Sequence, residues 1–115
     1  MHELSIMTSV LDIVISHAQK NGAKRVQKVN MQIGIMSDII PEWAQTYFDM
    51  LSKDTIASEA ILDIERIPVK IRCRECGHEF GFKDREWKFS CEKCESSDIE
   101  LLSGREFMVS SIEIE

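Results

Sequence analysis

The chain has 115 residues, which is enough for one compact domain or two very small ones. Its formal net charge of −6 gives no sign of the basic surface by which nucleic-acid-binding proteins are recognised. No stretch approaches the roughly 20 apolar residues of a membrane span, and the first residues lack the basic segment of a secretory signal. We therefore expect a cytosolic protein that binds neither nucleic acid nor membranes.

The first predicted element is a helix over residues 4–20. Its apolar residues recur at three- and four-residue steps, and Gly22 suits a left-handed cap after its end. The apolar positions are Leu4, Ile6, Met7, Val10, Leu11, Ile13, Val14, Ile15 and Ala18. This stripe is so wide that we expect the helix to be well buried.

A strand and a second helix follow. Val29, Met31 and Ile33 alternate with polar residues, which indicates a strand with one solvent-facing side that Gly34 ends. Pro41 suits the first turn of the second helix. The expected buried side of this helix consists of Trp43, Ala44, Tyr47, Phe48 and Leu51.

The composition changes after a second strand, in which Leu62 and Ile64 alternate with acidic residues and which Pro68 ends. The strand–helix–strand order favours a parallel crossover between the two strands. Residues 69–104 contain all four cysteines, and we expect a small aromatic core there from Phe80, Phe82, Trp87 and Phe89. Residues 107–114 have a strand pattern with a phase shift at Ser110-Ser111 that is typical of a β-bulge. Because a lone terminal strand is unstable, it should return to the first sheet.

The sequence thus predicts an α+β fold. Two helices pack on a small mixed sheet of about three strands, into which a zinc-ribbon-like module is inserted. The expected domains are residues 1–68 together with 105–115, and residues 69–104. The second of these could hardly fold without a metal, because its 36 residues bury too little apolar surface.

The four cysteines form two identical pairs, Cys73-Arg-Glu-Cys76 and Cys91-Glu-Lys-Cys94. Two such pairs separated by a short loop are typical of a tetrahedral four-sulfur zinc site. Gly77, directly after the first pair, suits the positive φ that the turn around such a pair often needs. Two disulfides would need an oxidising compartment, and free thiols would give no reason for matched pairs. Zinc suits four thiolates best, and iron is the less favoured alternative.

The N-terminus offers a second set of metal donors. The amine of Met1, the amide nitrogen of His2 and the His2 imidazole can form adjacent chelate rings in one plane, and Glu3 could add another donor. A planar set of nitrogens suits Ni2+ or Cu2+ better than tetrahedral Zn2+. The alternative is that His2 is an ordinary polar residue before a helix.

Several stretches of this chain occur together in one known family. They are Met-His-Glu-Leu-Ser at the start, Gly34 with Ser37, Pro41-Glu42, and Cys-x2-Cys-Gly-His followed by a second Cys-x2-Cys. In this combination the chain resembles the HypA/HybF family of hydrogenase nickel-incorporation proteins over its whole length. The resemblance implies a non-enzymatic metallochaperone, with nickel at Met1, His2 and Glu3 and structural zinc at Cys73, Cys76, Cys91 and Cys94. It also implies a HypB-type GTPase and the [NiFe]-hydrogenase large subunit as partners, and urease as a further recipient in some members.

The chain departs from the family at one point. Some relatives have a histidine after each cysteine pair, whereas here His78 follows the first pair and Glu95 the second, so a two-histidine exchange with the thiolates is not expected. Asp38 and Glu42 could supply a carboxylate near the nickel, or simply favour the start of the second helix through its dipole.

The sequence leaves two other functions and the oligomeric state open. The main alternative is a zinc-ribbon module for protein interaction that has no exchangeable metal. A small zinc hydrolase is disfavoured, because a catalytic zinc keeps an open position for water and four thiolates close the shell. The chain could be a monomer or a homodimer.

Overall fold

The computed structural model describes residues 2–37, 39–82 and 89–115. The elements are α1 His2–Lys20, β1 Val26–Gly34, α2 Pro41–Ser52, β2 Ile61–Ile67, β3 Val69–Cys73, β4 Glu79–Phe82, β5 Ile99–Ser103 and β6 Phe107–Ile114. They divide into two compact units. The helical unit comprises Met1–Gln32, Ile39–Glu65 and Met108–Glu115, and the ribbon unit comprises Ile33–Asp38 and Arg66–Phe107. In the described part of the chain, no helix is long and apolar enough to cross a membrane.

The first sheet has the strand order β2-β1-β6. Lys28 of β1 lies 3.9 Å from Asp63 of β2, and Gln32 donates a 3.0 Å hydrogen bond to Glu65. Because the residue numbers of the partners rise together, β1 and β2 run parallel, as the strand–helix–strand order predicted.

The last strand, β6, returns to β1 in the opposite direction. The N–H of Lys24 donates to the carbonyl of Glu115 at 2.8 Å, and Asn30 contacts both Ser110 and Ser111. The direction follows because the numbers of these partners change in opposite senses, so the sheet is mixed as expected. Ser110 and Ser111 are both exposed, so the alternation of β6 changes phase at the predicted position.

The core of the helical unit lies between α1, α2 and the sheet. Its buried residues include Met7, Val10, Leu11, Val14, Ala18, Val26, Val29, Met31, Ala44, Phe48 and Leu62. Two expectations were wrong: Ile13 is 48% exposed and Trp43 is 52% exposed. In this small unit α2 buries only one row of side chains, which consists of Ala44, Phe48 and Ser52, and apolar positions beside the buried face of each helix remain exposed to solvent.

The ribbon unit contains a second sheet, with the order β4-β3-β5 and antiparallel pairing throughout. Ile71 of β3 lies opposite Phe80 of β4 and Leu101 of β5. The sequence patterns did not predict these three strands. The sheet places the first cysteine of the chain, Cys73, at the end of its central strand.

The core of the ribbon unit is more aliphatic than expected. Its buried cluster is Ile35, Val69, Ile71, Cys73, Phe80 and Cys91, with Met36, Phe82 and Ile99 packed against it. Phe89 is 68% exposed, so the expectation that it belongs to the core was wrong. Trp87 lies outside the described residues. Aliphatic side chains of the β3 strand and of the connection after β1 therefore fill the space that the aromatic residues were expected to fill.

Candidate metal centre

Each cysteine pair lies in a tight turn, here called a knuckle, and the two knuckles, residues 73–78 and 91–96, have the same local backbone structure. In the first knuckle, the N–H of Cys73 donates to the carbonyl of His78 at 2.9 Å, and the N–H of Gly77 donates to the carbonyl of Cys73 at 3.0 Å. The second knuckle repeats this pattern between Cys91 and Ser96 and between Glu95 and Cys91, at 2.8 and 2.9 Å. Gly77 has the positive φ that the sequence predicted, +76°. Each turn thus holds two sulfurs on one side of its backbone.

The four cysteine sulfurs converge as the sequence predicted. Every Sγ atom lies within 4.8 Å of the other three. The Sγ atoms of Cys73 and Cys94 are 3.5 Å apart, and those of Cys76 and Cys91 are 3.6 Å apart. These separations are close to the roughly 3.8 Å edge of a tetrahedron with 2.3 Å Zn–S bonds. All four thiols are free of disulfides. The donor set therefore fits one zinc ion.

Backbone amides favour the thiolate form at one side of the cluster. The N–H groups of Cys94 and Lys93 each point at Cys91 Sγ from 3.4 Å, and these hydrogen bonds lower the pKa of the Cys91 thiol to about 6. For Cys94, a backbone hydrogen bond from Ser96 favours the thiolate, but the sulfur of Cys73 and desolvation outweigh it and raise the pKa to about 12. Like charges this close repel, so four thiolates together need a bound cation.

Two polar contacts join the knuckles besides the sulfurs. His78 Nε2 lies 2.9 Å from Glu92 Oε1 and thus links the first knuckle to the second. Arg74 donates its backbone N–H to the carbonyl of Asp98 at 2.9 Å, and its Nη1 lies 3.3 Å from the Asp98 carboxylate. Arg74 therefore attaches the first knuckle to the chain that leads from the second knuckle into β5.

The residues expected to bind nickel are only partly described. Met1 lies outside the described residues, and for His2 the structure gives the backbone, which opens α1 two residues earlier than expected. Glu3 lies in the first turn of α1 and is partly buried. Asp38, one candidate for an additional carboxylate, is outside the described residues. Glu42, the other, is exposed in the first turn of α2.

Residues 1–114 match the family model described as "Hydrogenase/urease nickel incorporation, metallochaperone, hypA". The chain belongs to the HypA family. Among curated relatives called hydrogenase maturation factor HypA, it is 39% identical to that of Wolinella succinogenes over 100% of this chain and 96% of the relative. It is 36% identical to that of Dehalococcoides mccartyi strain 195 over 100% and 95%.

Two solved structures of HypA proteins have the same fold. The solution structure of the Ni metallochaperone HypA from Helicobacter pylori aligns with a TM-score of 0.67 and 28% identity, covering 97% of this chain and 96% of that one. A second HypA solution structure aligns with a TM-score of 0.72 and 30% identity, covering 99% and 96%. The similarity therefore includes both units of this HypA-family chain.

Sequence reasoning missed the two contacts that join the knuckles in this member of the HypA family. His78 was considered only as an exchangeable ligand, whereas its Nε2 atom faces Glu92. Glu92 and Arg74 were read only as residues between cysteines. The sequence did contain one indication of these contacts, which is a pattern of opposite charges. Arg74 lies within the first cysteine pair, Glu92 lies within the second, and Asp98 follows the second.

Proposed function

We propose that this chain is a nickel metallochaperone for [NiFe]-hydrogenase maturation. It binds Ni2+ at Met1, His2 and Glu3, at the start of the helical unit, and it holds structural zinc at Cys73, Cys76, Cys91 and Cys94 in the ribbon unit. The observation that carries the proposal is the match of residues 1–114 to a family of nickel-incorporation metallochaperones. The convergent sulfurs support the second part.

The start of α1 has suitable donors for a transferable ion. The first four N–H groups of a helix have no intrahelical acceptor, so the amide nitrogens of His2 and Glu3 are not held by the helix that begins at His2. An amine, amide nitrogens and an imidazole are donors that suit the square-planar preference of Ni2+. An ion held at the end of a chain, by few packed groups, is also open to competition from a recipient protein.

The four-sulfur site is suited to retention instead. Cys73 and Cys91 are fully buried, and four thiolates leave no open position for water or substrate. When bound, zinc would cross-link the two knuckles and neutralise part of the negative charge of the thiolates. This chain's own contribution is to hold the sulfurs in place through the backbone hydrogen bonds of both turns.

Delivery to an enzyme implies protein partners. We propose a HypB-type GTPase as the source of energy coupling and the hydrogenase large subunit as the recipient, with urease as a second possible recipient. The protein would act in the cytosol without catalysing a reaction. It would do so as a monomer or a homodimer.

The test is metal content followed by nickel titration of an untagged protein that begins at Met1. We expect one tightly held zinc ion and one further site for Ni2+ by calorimetry. His2→Ala should abolish nickel binding and leave zinc in place, whereas His17→Ala, which removes an exposed histidine at the other end of α1, should change neither. Residues added before Met1 should act like His2→Ala.

The outcomes distinguish the alternatives. Unchanged nickel affinity in both His2→Ala and the extended protein would remove the proposed site. One zinc ion with no nickel response in the starting protein would support the protein-interaction module instead. Nickel affinity should also fall as pH drops from about 8 to 5.5, because protons compete for the amine and the imidazole, whose ordinary pKa values are about 7.7–8.0 and 6.5.

A further inference from the structure

The two knuckles are tied together asymmetrically. On one side, Arg74 of the first knuckle makes a backbone hydrogen bond and an ion pair with Asp98, and its Nε atom lies 3.9 Å from Glu100 of β5. On the other side, besides the contacts between the cysteine sulfurs, the His78 side chain contacts Glu92 of the second knuckle at 2.9 Å.

The His78 ring is well placed to make that bond. Its centroid lies 5.8 Å from that of Phe80, with only 14° between the ring planes. Phe80 belongs to the buried cluster of the ribbon unit, and the His78 carbonyl accepts the Cys73 N–H, so both the ring and the backbone of this residue are fixed. The His78 side chain is 29% exposed, and its Nε2 atom faces the Glu92 carboxylate.

We propose that His78 and Glu92 are positioning residues for the metal in the four-sulfur site. Their hydrogen bond holds the outer ends of the two knuckles together and slows the separation of the sulfurs that metal release requires. His78 acts through Glu92 and through the turn that carries Cys76, without ligating the metal. This inference depends on the proposed zinc site, but not on the proposed nickel site.

The effect should be modest, because both side chains are partly exposed. A hydrogen bond of this kind contributes about 1 kcal/mol, which corresponds to about a fivefold change in rate. Glu92→Ala, which removes the hydrogen-bonding group, should therefore release zinc about fivefold faster than the unaltered protein, measured by stopped-flow transfer to a chromophoric chelator in excess. Glu75→Ala is the matched control. It removes the same charge from an exposed position in the first knuckle, where the described residues give that carboxylate no partner.

A cycle of variants separates the pair from a general effect on stability. If the two residues act through each other, His78→Asn combined with Glu92→Ala should release zinc no faster than the faster single variant. The exchanged pair, His78→Glu with Glu92→His, should recover part of the slow release. Equal rates for Glu92→Ala, Glu75→Ala and the unaltered protein would overturn the proposal.

Replacement of zinc by Co2+ provides an absorption spectrum that reports the metal ligands, which a loss of structure alone would not reproduce. The absorption bands of Co2+ bound by four thiolates should be the same in the unaltered protein and in His78→Asn, because His78 is not a ligand. A spectral change typical of a lost nitrogen ligand would overturn the positioning role. A protein that holds no zinc at all would instead refute the metal site itself, which separates this failure from that of the positioning residues.

Discussion

The fifth residue of each cysteine knuckle has a left-handed backbone, and this allows a symmetrical pair of substitutions. Gly77 has φ +76° in the first knuckle and Glu95 has φ +63° in the second. A left-handed conformation costs about 1–2 kcal/mol for a residue with a Cβ atom and little for glycine. We predict that Glu95→Gly stabilises the ribbon unit and that Gly77→Ala destabilises it.

The size of both effects follows from two opposing contributions. Relief of the left-handed strain by Glu95→Gly is offset in part by the larger conformational entropy of glycine in the unfolded chain, about 0.4–1 kcal/mol. The net gain is then about 0.5–1 kcal/mol. Gly77→Ala should lose a similar amount through the backbone alone, because no atom lies within 4 Å of an added Cβ at that position.

Metal affinity is the appropriate assay, because we expect the folding of the knuckles to be coupled to metal binding. The expected free energies correspond to a two- to fivefold increase in zinc affinity for Glu95→Gly and a comparable decrease for Gly77→Ala, measured by competition with a chelator of known affinity. Gly22→Ala is the control: it has φ +67° and open space around the added Cβ, but it lies in the turn after α1. Weaker zinc binding by Glu95→Gly, or equal effects of Gly22→Ala and Gly77→Ala on zinc affinity, would refute the reasoning.

Three further predictions concern packing and metal removal. Gly34→Ala should lower the free energy of unfolding by about 2–4 kcal/mol in a denaturant titration, because the new Cβ would lie 2.0 Å from the Gly104 carbonyl oxygen. An unchanged free energy of unfolding would exclude this close approach. Ser52→Ala should raise the free energy of unfolding by about 1 kcal/mol in the same assay, since no described group forms a hydrogen bond with the buried Ser52 hydroxyl. A lower free energy of unfolding would contradict this prediction. Chelation of zinc should remove amide-exchange protection from residues 69–104 and leave it in the helices, whereas simultaneous loss everywhere would indicate one folding unit.

The helical unit was largely predictable because its elements have a clear period. The alternation of Val29, Met31 and Ile33 gave β1, and Pro41 gave the start of α2. The errors at Ile13 and Trp43 have a common origin. A helical repeat shows which side of a helix is apolar, but the width that is buried depends on how many elements the unit supplies to cover it.

The ribbon strands were missed for a different reason. Val69, Ile71 and Cys73 do alternate with charged residues, but β3 has only five residues, and β4 has four. The sequence of β5, Ile-Glu-Leu-Leu-Ser, has no clean alternation at all. Such short strands are stable only when they pair with each other and a cross-link holds the unit together. A local sequence pattern does not show which strands pair.

The cysteine site and its supporting contacts differ in the same way. The spacing of two residues between cysteines is a local property, so it predicted which four sulfurs converge. His78 and Glu92 are 14 residues apart, and their contact depends on how the two knuckles fold against each other. Residue types that ligate metals are therefore readable from the sequence, whereas the hydrogen bonds that orient them depend on the folded loop.

The two proposed metal sites need opposite physical properties, and this explains why one small chain would carry both. Retention requires ligands fixed by packing and a complete shell, which buried Cys73 and Cys91 and the paired backbone hydrogen bonds supply. Delivery requires donors that a recipient can displace, which favours groups at the first turn of a helix rather than in a core. If His78 and Glu92 slow the loss of zinc, they would also keep the thiolates occupied. Nickel would then be directed to the nitrogen donors of the N-terminus, because the site with the softer ligands is already filled.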